Sequence, residues 1–266
     1  MVTNQGKRLG FTKIELLIVG VFVVLPLLLI PPCVLQCRKR ARRITCMDHQ
    51  KELSLAMLNV EAVIGQFPGY VNQWDSKDVS WVPFLFPYLQ NGWKCNWGGE
   101  SWRYGVLVCP SDLTQRSGPN NHPLAYVVNC GRPGNDDSLE DPSGICLEKE
   151  GVSIDWLMKH DGCANTLLLS ENIQAGWCED TAEADVGIVW WDSPEKCNRI
   201  NHCKDVGSCP HDIRYARPSS NHGNGVIVAF CDGHVRFLSE GIEYKTYRQM
   251  MDPDDGGPIG ESEYAW

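Results

Sequence analysis

Two apolar patterns follow one another at the start of the chain. Residues 14–30 are apolar apart from Glu15, and with the next few residues they approach the roughly 20 residues that a helix needs to cross a bilayer. Residues 44–64 then become amphipathic, and the apolar positions recur at steps of four, three and four: Leu53, Met57, Val60 and Ile64. Gly65 ends the pattern. The sequence therefore predicts a membrane helix followed by a helix with one buried face.

Short runs typical of strands lie further along the chain. Residues 226–231 are apolar throughout, which predicts a strand that is buried on both faces. Asp232-Gly233 follows, and in the next run Val235 and Phe237 fall on one side. This arrangement predicts a hairpin whose two central turn residues both have φ > 0. Three further runs have the length of strands: 106–109, 124–129 and 166–169.

Charge and cysteine content narrow the class of protein. The chain has 266 residues and a formal net charge of −9, although residues 38–43 hold five basic side chains. The remainder is therefore acidic, which argues against nucleic acid as a partner. Thirteen cysteines in a chain predicted to cross a membrane favour a disulfide framework in an oxidising compartment.

The N-terminal residues resemble a known processing signal. Gly10, Phe11 and Thr12 precede the apolar run, and Glu15 is followed by two leucines. This segment resembles the prepilin-type cleavage and methylation segment, from which only Lys13 departs. A carboxylate within an apolar segment costs about 2–3 kcal/mol or more, so Glu15 is a functional candidate in its own right.

The prepilin resemblance implies a series of events. A prepilin peptidase would cut between Gly10 and Phe11, the new N-terminal Phe11 would be methylated, and Glu15 would neutralise the N-terminal amine of a neighbouring subunit. Opposite charges that meet inside lipid relieve each other's cost of burial. The alternative is a plain membrane anchor that is not cleaved.

A second motif lies near the C-terminus. His222, nine further residues and then Asp232-Gly233 form an H-X9-DG signature. The signature resembles that of domain of unknown function 1559, a bacterial family whose members carry prepilin-type N-termini. The resemblance covers nearly the whole chain and suggests one disulfide, between Cys46 and Cys109.

Together the two resemblances imply an α+β, pilin-like fold. A long N-terminal helix would pack on a head with a mainly antiparallel β-sheet and disulfide-tethered loops. The expected organisation is a leader at 1–10, a transmembrane and assembly helix at 11–36, the soluble half of the helix at 37–64, and the head at 65–266.

Two groups of residues invite a chemical role. His222 and Asp232 would be separated by about 30 Å of strand at 3.3 Å per residue, so we do not expect them to share a ligand. A second group has spacings that fit no standard zinc finger, and disulfides compete for its thiols: Cys197, His202, Cys203, Cys209 and His211. We expect no catalytic residues and no cofactor.

The predicted location is the cytoplasmic (inner) membrane, crossed once, with the head outside the cytoplasm. The basic run 38–43 alone would favour the opposite orientation, but the cysteine content and the resemblance favour this one. The expected function is that of a pilin-like or pseudopilin-like structural protein of a type IV pilus-like or type II secretion-like assembly. Its partners would be the membrane, the prepilin peptidase and other pilin-like subunits. The alternatives are an anchored ligand-binding module and, third, a metal-dependent enzyme.

Overall fold

The computed structural model describes residues 10–89, 105–111, 123–133, 139–191, 199–202 and 213–256, without the side chains of residues 24–33 and 214. The chain divides into two compact units, Met1–Ala41 and Arg42–Trp266. Helices are α1 (Lys13–Ile64), α2 (Val82–Leu85), α3 (Ile154–Leu157), α4 (Glu183–Val186) and α5 (Tyr244–Met251). Strands are β1 (Val71–Trp74), β2 (Lys77–Ser80), β3 (Tyr126–Gly131), β4 (Leu167–Glu171), β5 (Gly187–Val189), β6 (Gly225–Phe230) and β7 (Val235–Ser239).

The first turn of α1 is closed by a capping box. The Thr12 hydroxyl accepts a hydrogen bond from the backbone N–H of Glu15 at 3.3 Å, and the Glu15 carboxylate accepts one from the backbone N–H of Thr12 at 2.8 Å. These reciprocal bonds satisfy two backbone donors that a helix start leaves free. Over the described residues, no helix is both long enough and apolar enough to span a membrane.

A five-stranded sheet forms the centre of the second unit, in the order β5-β3-β4-β6-β7. Its pairings are antiparallel except for the parallel pair β3–β5, and β1 and β2 form a separate antiparallel ribbon. The predicted α+β class with a mainly antiparallel sheet is therefore confirmed.

Helices cover both faces of this sheet. Tyr126 contacts His49 of α1, with 3.3 Å between the hydroxyl and Nδ1. Asn129, three positions further along β3, donates from Nδ2 to the carbonyl of Met251 in α5 at 2.7 Å. Successive strand residues point to opposite faces, so α1 and α5 lie on opposite sides. This layering explains why β3, β4 and β6 are buried along their whole length.

The part of α1 in the second unit buries one continuous face. The buried positions are spaced alternately by four and three residues: Cys46, Gln50, Leu53, Met57 and Val60. The predicted face is thus confirmed except at Ile64, which is 53% exposed. The helix ends there, because Gly65 has φ +88° and turns the chain away. Phe67 is fully buried beyond the turn.

The hairpin β6–β7 is confirmed, but its predicted turn type is wrong. Gly233 has φ +85°, whereas Asp232 is not in the positive-φ region. The backbone N–H of Gly233 donates to the carbonyl of Phe230 at 2.9 Å, and that of Phe230 donates to His234 at 3.0 Å. This is a three-residue loop with glycine in the left-handed position, which needs only one residue of positive φ.

Sequence runs of strand length have mixed outcomes. The runs 124–129 and 166–169 correspond to β3 and β4 within a few residues. The strand predicted at 106–109 is wrong, because Gly105–Leu107 forms a 3₁₀ helix. The backbone N–H of Ala125, just before β3, donates to the carbonyl of Leu107 at 2.9 Å.

Packing of α1 makes a testable prediction about stability. Leu53→Ala removes a fully buried side chain and should lower the free energy of unfolding by about 2–5 kcal/mol. Ile64→Ala is the matched control, and because Ile64 is largely exposed it should change that energy by less than about 0.5 kcal/mol. Urea unfolding of both variants measures the difference, and equal effects would contradict the packing described.

Candidate metal centre

Four potential ligands meet in the second unit, from four separate segments of the chain. They are Cys46 of α1, Cys109 shortly after the 3₁₀ helix Gly105–Leu107, Glu171 at the end of β4, and His222 in the loop before β6. One donor atom from each lies within 4.8 Å of all the others. We call these four residues the buried cluster.

Helix α1 and strand β4 position two members of the cluster. Cys46 is fully buried on the face of α1 that contacts the sheet. Glu171 is the cross-strand neighbour of Tyr126, whose hydroxyl contacts α1. The carboxylate is oriented by its Oε2 atom, which accepts a hydrogen bond from the backbone N–H of Ile227 at 2.9 Å.

Local hydrogen bonds hold the other two members. The Cys109 sulfur accepts a hydrogen bond from the backbone N–H of Ser111 at 3.4 Å. The backbone N–H of His222 donates to the hydroxyl of Ser220 at 3.2 Å, and that hydroxyl donates to the carbonyl of Gly225 at 2.7 Å. The loop before β6 is therefore tied to the first residue of that strand.

Two contacts converge on a single nitrogen of His222. Its Nε2 lies 3.3 Å from the Cys109 sulfur and 3.0 Å from Oε1 of Glu171. The side chains of His222 and Glu171 are only 3% and 2% exposed. Oε1 has no well-aligned hydrogen-bond donor, so its contact with Nε2 is mainly electrostatic.

Burial and mutual contact shift the pKa values of the cluster. Burial alone would lower the pKa of His222, but its contacts with Cys109 and Glu171 outweigh burial and raise that pKa to about 9. A side-chain hydrogen bond with Cys46, together with burial, raises the pKa of the Cys109 thiol well above its usual value. Burial also raises the pKa of the neighbouring Tyr126 hydroxyl.

The arrangement does not match a nucleophilic triad. In a Cys-His-acid triad, the acid and the nucleophile contact different ring nitrogens, because the acid must orient the imidazole from the far side. Here Glu171 and Cys109 both contact Nε2 of His222. Sulfur, imidazole and carboxylate donors that face one point are instead a set that could hold a metal ion.

The cysteines predicted to pair are neighbours in the cluster. Cys46 and Cys109 are both free thiols, with their sulfur atoms within 4.8 Å of each other. A disulfide requires an S–S distance near 2.05 Å, so the bond is not formed here and the pairing stays a prediction. Other described cysteines are thiols as well, among them Cys37, Cys130, Cys146, Cys163 and Cys231.

Asp232 and Gly233 lie at the other end of β6 from His222. The carboxylate of Asp232 accepts a hydrogen bond from the backbone N–H of His234 at 3.0 Å and lies 2.5 Å from its Nδ1. A Cβ added to Gly233 would lie 3.1 Å from Leu58 of α1. The H-X9-DG signature therefore marks the two ends of one buried strand, and each end lies next to α1.

Apart from Cys46, Cys109 and His222, none of the predicted site residues within the described ranges belongs to the buried cluster. Gly10 and Phe11 are exposed, and Glu15 lies in the first turn of α1. His202 is exposed, whereas Cys197, Cys203, Cys209 and His211 lie outside the described residues, as does most of the leader 1–10. Disulfides therefore stay the expectation for the 197–211 group, with zinc binding as the alternative.

Glu171 is the member of the cluster that sequence reasoning did not select. It closes the apolar run of β4 as a fully buried carboxylate. The available signal was an acidic residue two positions after the apolar run Leu167–Leu169, because a buried charge needs a partner. The sequence did not identify that partner.

The loop that carries His222 depends on a close backbone approach. A Cβ at Gly225 would lie 2.0 Å from the carbonyl oxygen of Leu238, so Gly225→Ala should separate β6 from β7 and lower the free energy of unfolding by about 1–3 kcal/mol. Gly241→Ala is the control, because its Cβ would meet only Ser239 Oγ at 3.6 Å. Thermal unfolding distinguishes them, and an unchanged Gly225→Ala would refute the close approach.

Comparison with known families gives one result. A family model described as "Protein of unknown function (DUF1559)" matches residues 36–93 and 93–245, which is more than half of the chain and includes the whole buried cluster. Comparison with curated proteins and with solved structures gives no match. On the extent of this match, the chain belongs to the DUF1559 family of proteins of unknown function.

Proposed function

We propose that this protein is a pilin-like structural protein of the cell envelope, anchored in the inner membrane by α1 and processed between Gly10 and Phe11. Its head would lie outside the cytoplasm, and its partners would be the membrane, a prepilin peptidase and other pilin-like subunits. The observation that carries the proposal is the start of α1, directly after the Gly10-Phe11-Thr12 segment. The proposed role is structural rather than catalytic.

The capping box supports a specific role for Glu15. Cleavage after Gly10 would leave only Phe11 and Thr12 before the helix. The new amine would then belong to Phe11. The backbone N–H of the next residue, Thr12, donates to the Glu15 carboxylate at 2.8 Å. The Glu15 carboxylate would therefore lie close to the new N-terminus of its own chain. Because Glu15 is exposed, its carboxylate could also meet the N-terminal amine of a neighbouring subunit.

Exposed apolar side chains in the first unit support anchoring. Phe11 is 82% exposed and Phe22 is 77% exposed, and the side chains between them include further exposed leucine, isoleucine and valine residues. A helix surface of this kind is unfavourable in water and requires lipid or other subunits around it. The proposed membrane segment 11–36 includes residues 24–33, whose side chains lie outside the described part.

Processing is tested first. Mass spectrometry of the protein isolated from its native envelope should find a mature N-terminus at Phe11, carrying a methyl group. Gly10→Leu should abolish cleavage, because the prepilin-type segment that these residues resemble has glycine at the cleavage position. Gly20→Ala is the control, since nothing lies within 4 Å of its added Cβ, and it should be cleaved normally. An intact Met1 on the native protein would overturn the proposal.

Assembly is tested by a substitution that removes the charge of Glu15 and keeps the helix cap. Glutamine serves in a capping box as glutamate does, so Glu15→Gln should be cleaved and should start α1 at the same residue. We expect it to be lost from high-mass species after chemical cross-linking in the envelope, whereas the wild-type chain is retained. Normal cross-linking of Glu15→Gln would contradict assembly and favour an anchored ligand-binding module.

A further inference from the structure

We infer that the buried cluster of Cys46, Cys109, Glu171 and His222 binds one Zn²⁺ ion, which fastens α1 to the sheet of the head. The site is independent of the proposed function, because all four ligands belong to the second unit and none takes part in processing. It also differs from the 197–211 group, with which it shares no residue.

Donor geometry is the first support. Four zinc ligands at about 2.0–2.3 Å in a tetrahedron lie about 3.3–3.8 Å from one another. The Cys109 sulfur lies 3.3 Å from Nε2 of His222, and Oε1 of Glu171 lies 3.0 Å from the same atom. All four donors fall within 4.8 Å. Shifts of less than about 1 Å therefore suffice to close a tetrahedral site.

The direction of the donors is the second support. Both partners of His222 contact its Nε2, and Oε1 of Glu171 faces this point without an aligned hydrogen-bond donor. One ring nitrogen can donate only one hydrogen, so it cannot satisfy a sulfur and a carboxylate equally. A cation at the centre would satisfy all of these atoms together.

Neighbouring groups complete the environment of the ion. The backbone N–H of Ser111 contacts the Cys109 sulfur at 3.4 Å, and that of Ile227 contacts the other carboxylate oxygen of Glu171 at 2.9 Å. Outer contacts of this kind fix the orientation of ligands and tune a metal site. Two thiolates, one carboxylate and Zn²⁺ leave one negative charge, and Arg43 interacts favourably with Glu171.

The ligand set indicates which metal and which role. Two sulfur donors exclude the oxygen-binding ions Mg²⁺ and Ca²⁺, and a Cys₂-His-Glu set suits zinc. All four positions would be filled by protein side chains, which is the arrangement of structural rather than catalytic zinc sites. Because the ligands come from four separate segments, the ion would link parts of the head that are distant in sequence.

A disulfide between Cys46 and Cys109 is the competing state of the same residues. It would use both sulfur atoms and leave His222 and Glu171 as a buried pair. The two states exclude each other in any one molecule, so metal content and thiol content measured together distinguish them.

The test uses the full-length chain, solubilised in detergent and purified without a chelator. We expect about one zinc ion per chain by elemental analysis, which is the stoichiometry of a four-ligand site, and free Cys46 and Cys109 thiols by peptide mapping. Cobalt(II) added to the metal-depleted protein should give a thiolate-to-cobalt charge-transfer band. A chelator should lower the unfolding temperature of the wild-type chain.

Substitutions assign the ligands. Glu171→Gln keeps an oxygen that can accept the hydrogen bond from the backbone N–H of Ile227, but it removes the negative charge. His222→Ala removes a ligand altogether. Each substitution should weaken zinc binding at least tenfold. Cys163→Ser and His160→Gln are matched controls outside the cluster and should bind zinc as the wild type does. Circular dichroism establishes that each variant is folded.

Either of two results would overturn the inference. One is wild-type protein without zinc in which Cys46 and Cys109 are recovered as a disulfide. The other is metal-depleted protein that has free thiols and gives no cobalt band. If His222→Ala fails to fold, the cobalt titration of the wild type and of Glu171→Gln still decides whether zinc binds, because neither experiment requires that variant.

Discussion

Packing of α1 against the central sheet is the constraint on which the rest of the head depends. The helix contributes a buried face from Cys46 to Val60, and the sheet contributes strands that are buried along their whole length. The polar Gln50 on this face also binds the sheet, because its side-chain amide donates a hydrogen bond to the carbonyl of Ile227 at 2.7 Å. Without the helix, one side of β3, β4 and β6 would be exposed to water, at a cost of about 25 cal/mol for each Å² of apolar surface.

The same packing explains the spacing of the H-X9-DG signature. A ring nitrogen of His222 lies within 4.8 Å of the Cys46 sulfur, and a Cβ at Gly233 would lie against Leu58. Twelve positions of helix, from Cys46 to Leu58, rise about 18 Å, and the six residues of β6 extend about 20 Å. The strand therefore runs beside the helix over an equal length. A histidine and an Asp-Gly turn at this separation mark the two ends of one helix–strand contact.

The buried cluster lies at the first of these two ends. Cys46 is the first buried residue of the α1 face, and the other three ligands come from beyond the helix. Any bond formed there, whether by zinc or by a disulfide, joins the helix to segments that are distant in sequence. For a protein that we propose to be held in an envelope through α1, a tie at this point would secure the head to its own helix. The proposed pilin-like function and the proposed zinc site thus both involve α1, although either proposal can be wrong without the other.

Sequence periodicity alone determined the elements whose pattern is local. The buried face at Leu53 and Met57 and the β6–β7 hairpin follow from spacing and from turn chemistry, and no distant contact was needed to predict them. Tertiary structure decided the remainder: Ile64 is exposed because the helix ends there, and residues 106–109 do not form a strand because Gly105–Leu107 forms a 3₁₀ helix. It also placed Glu171 beside two cysteines and a histidine. Four segments that are distant in sequence meet only through the packing of α1 on the sheet, and no local pattern records that packing.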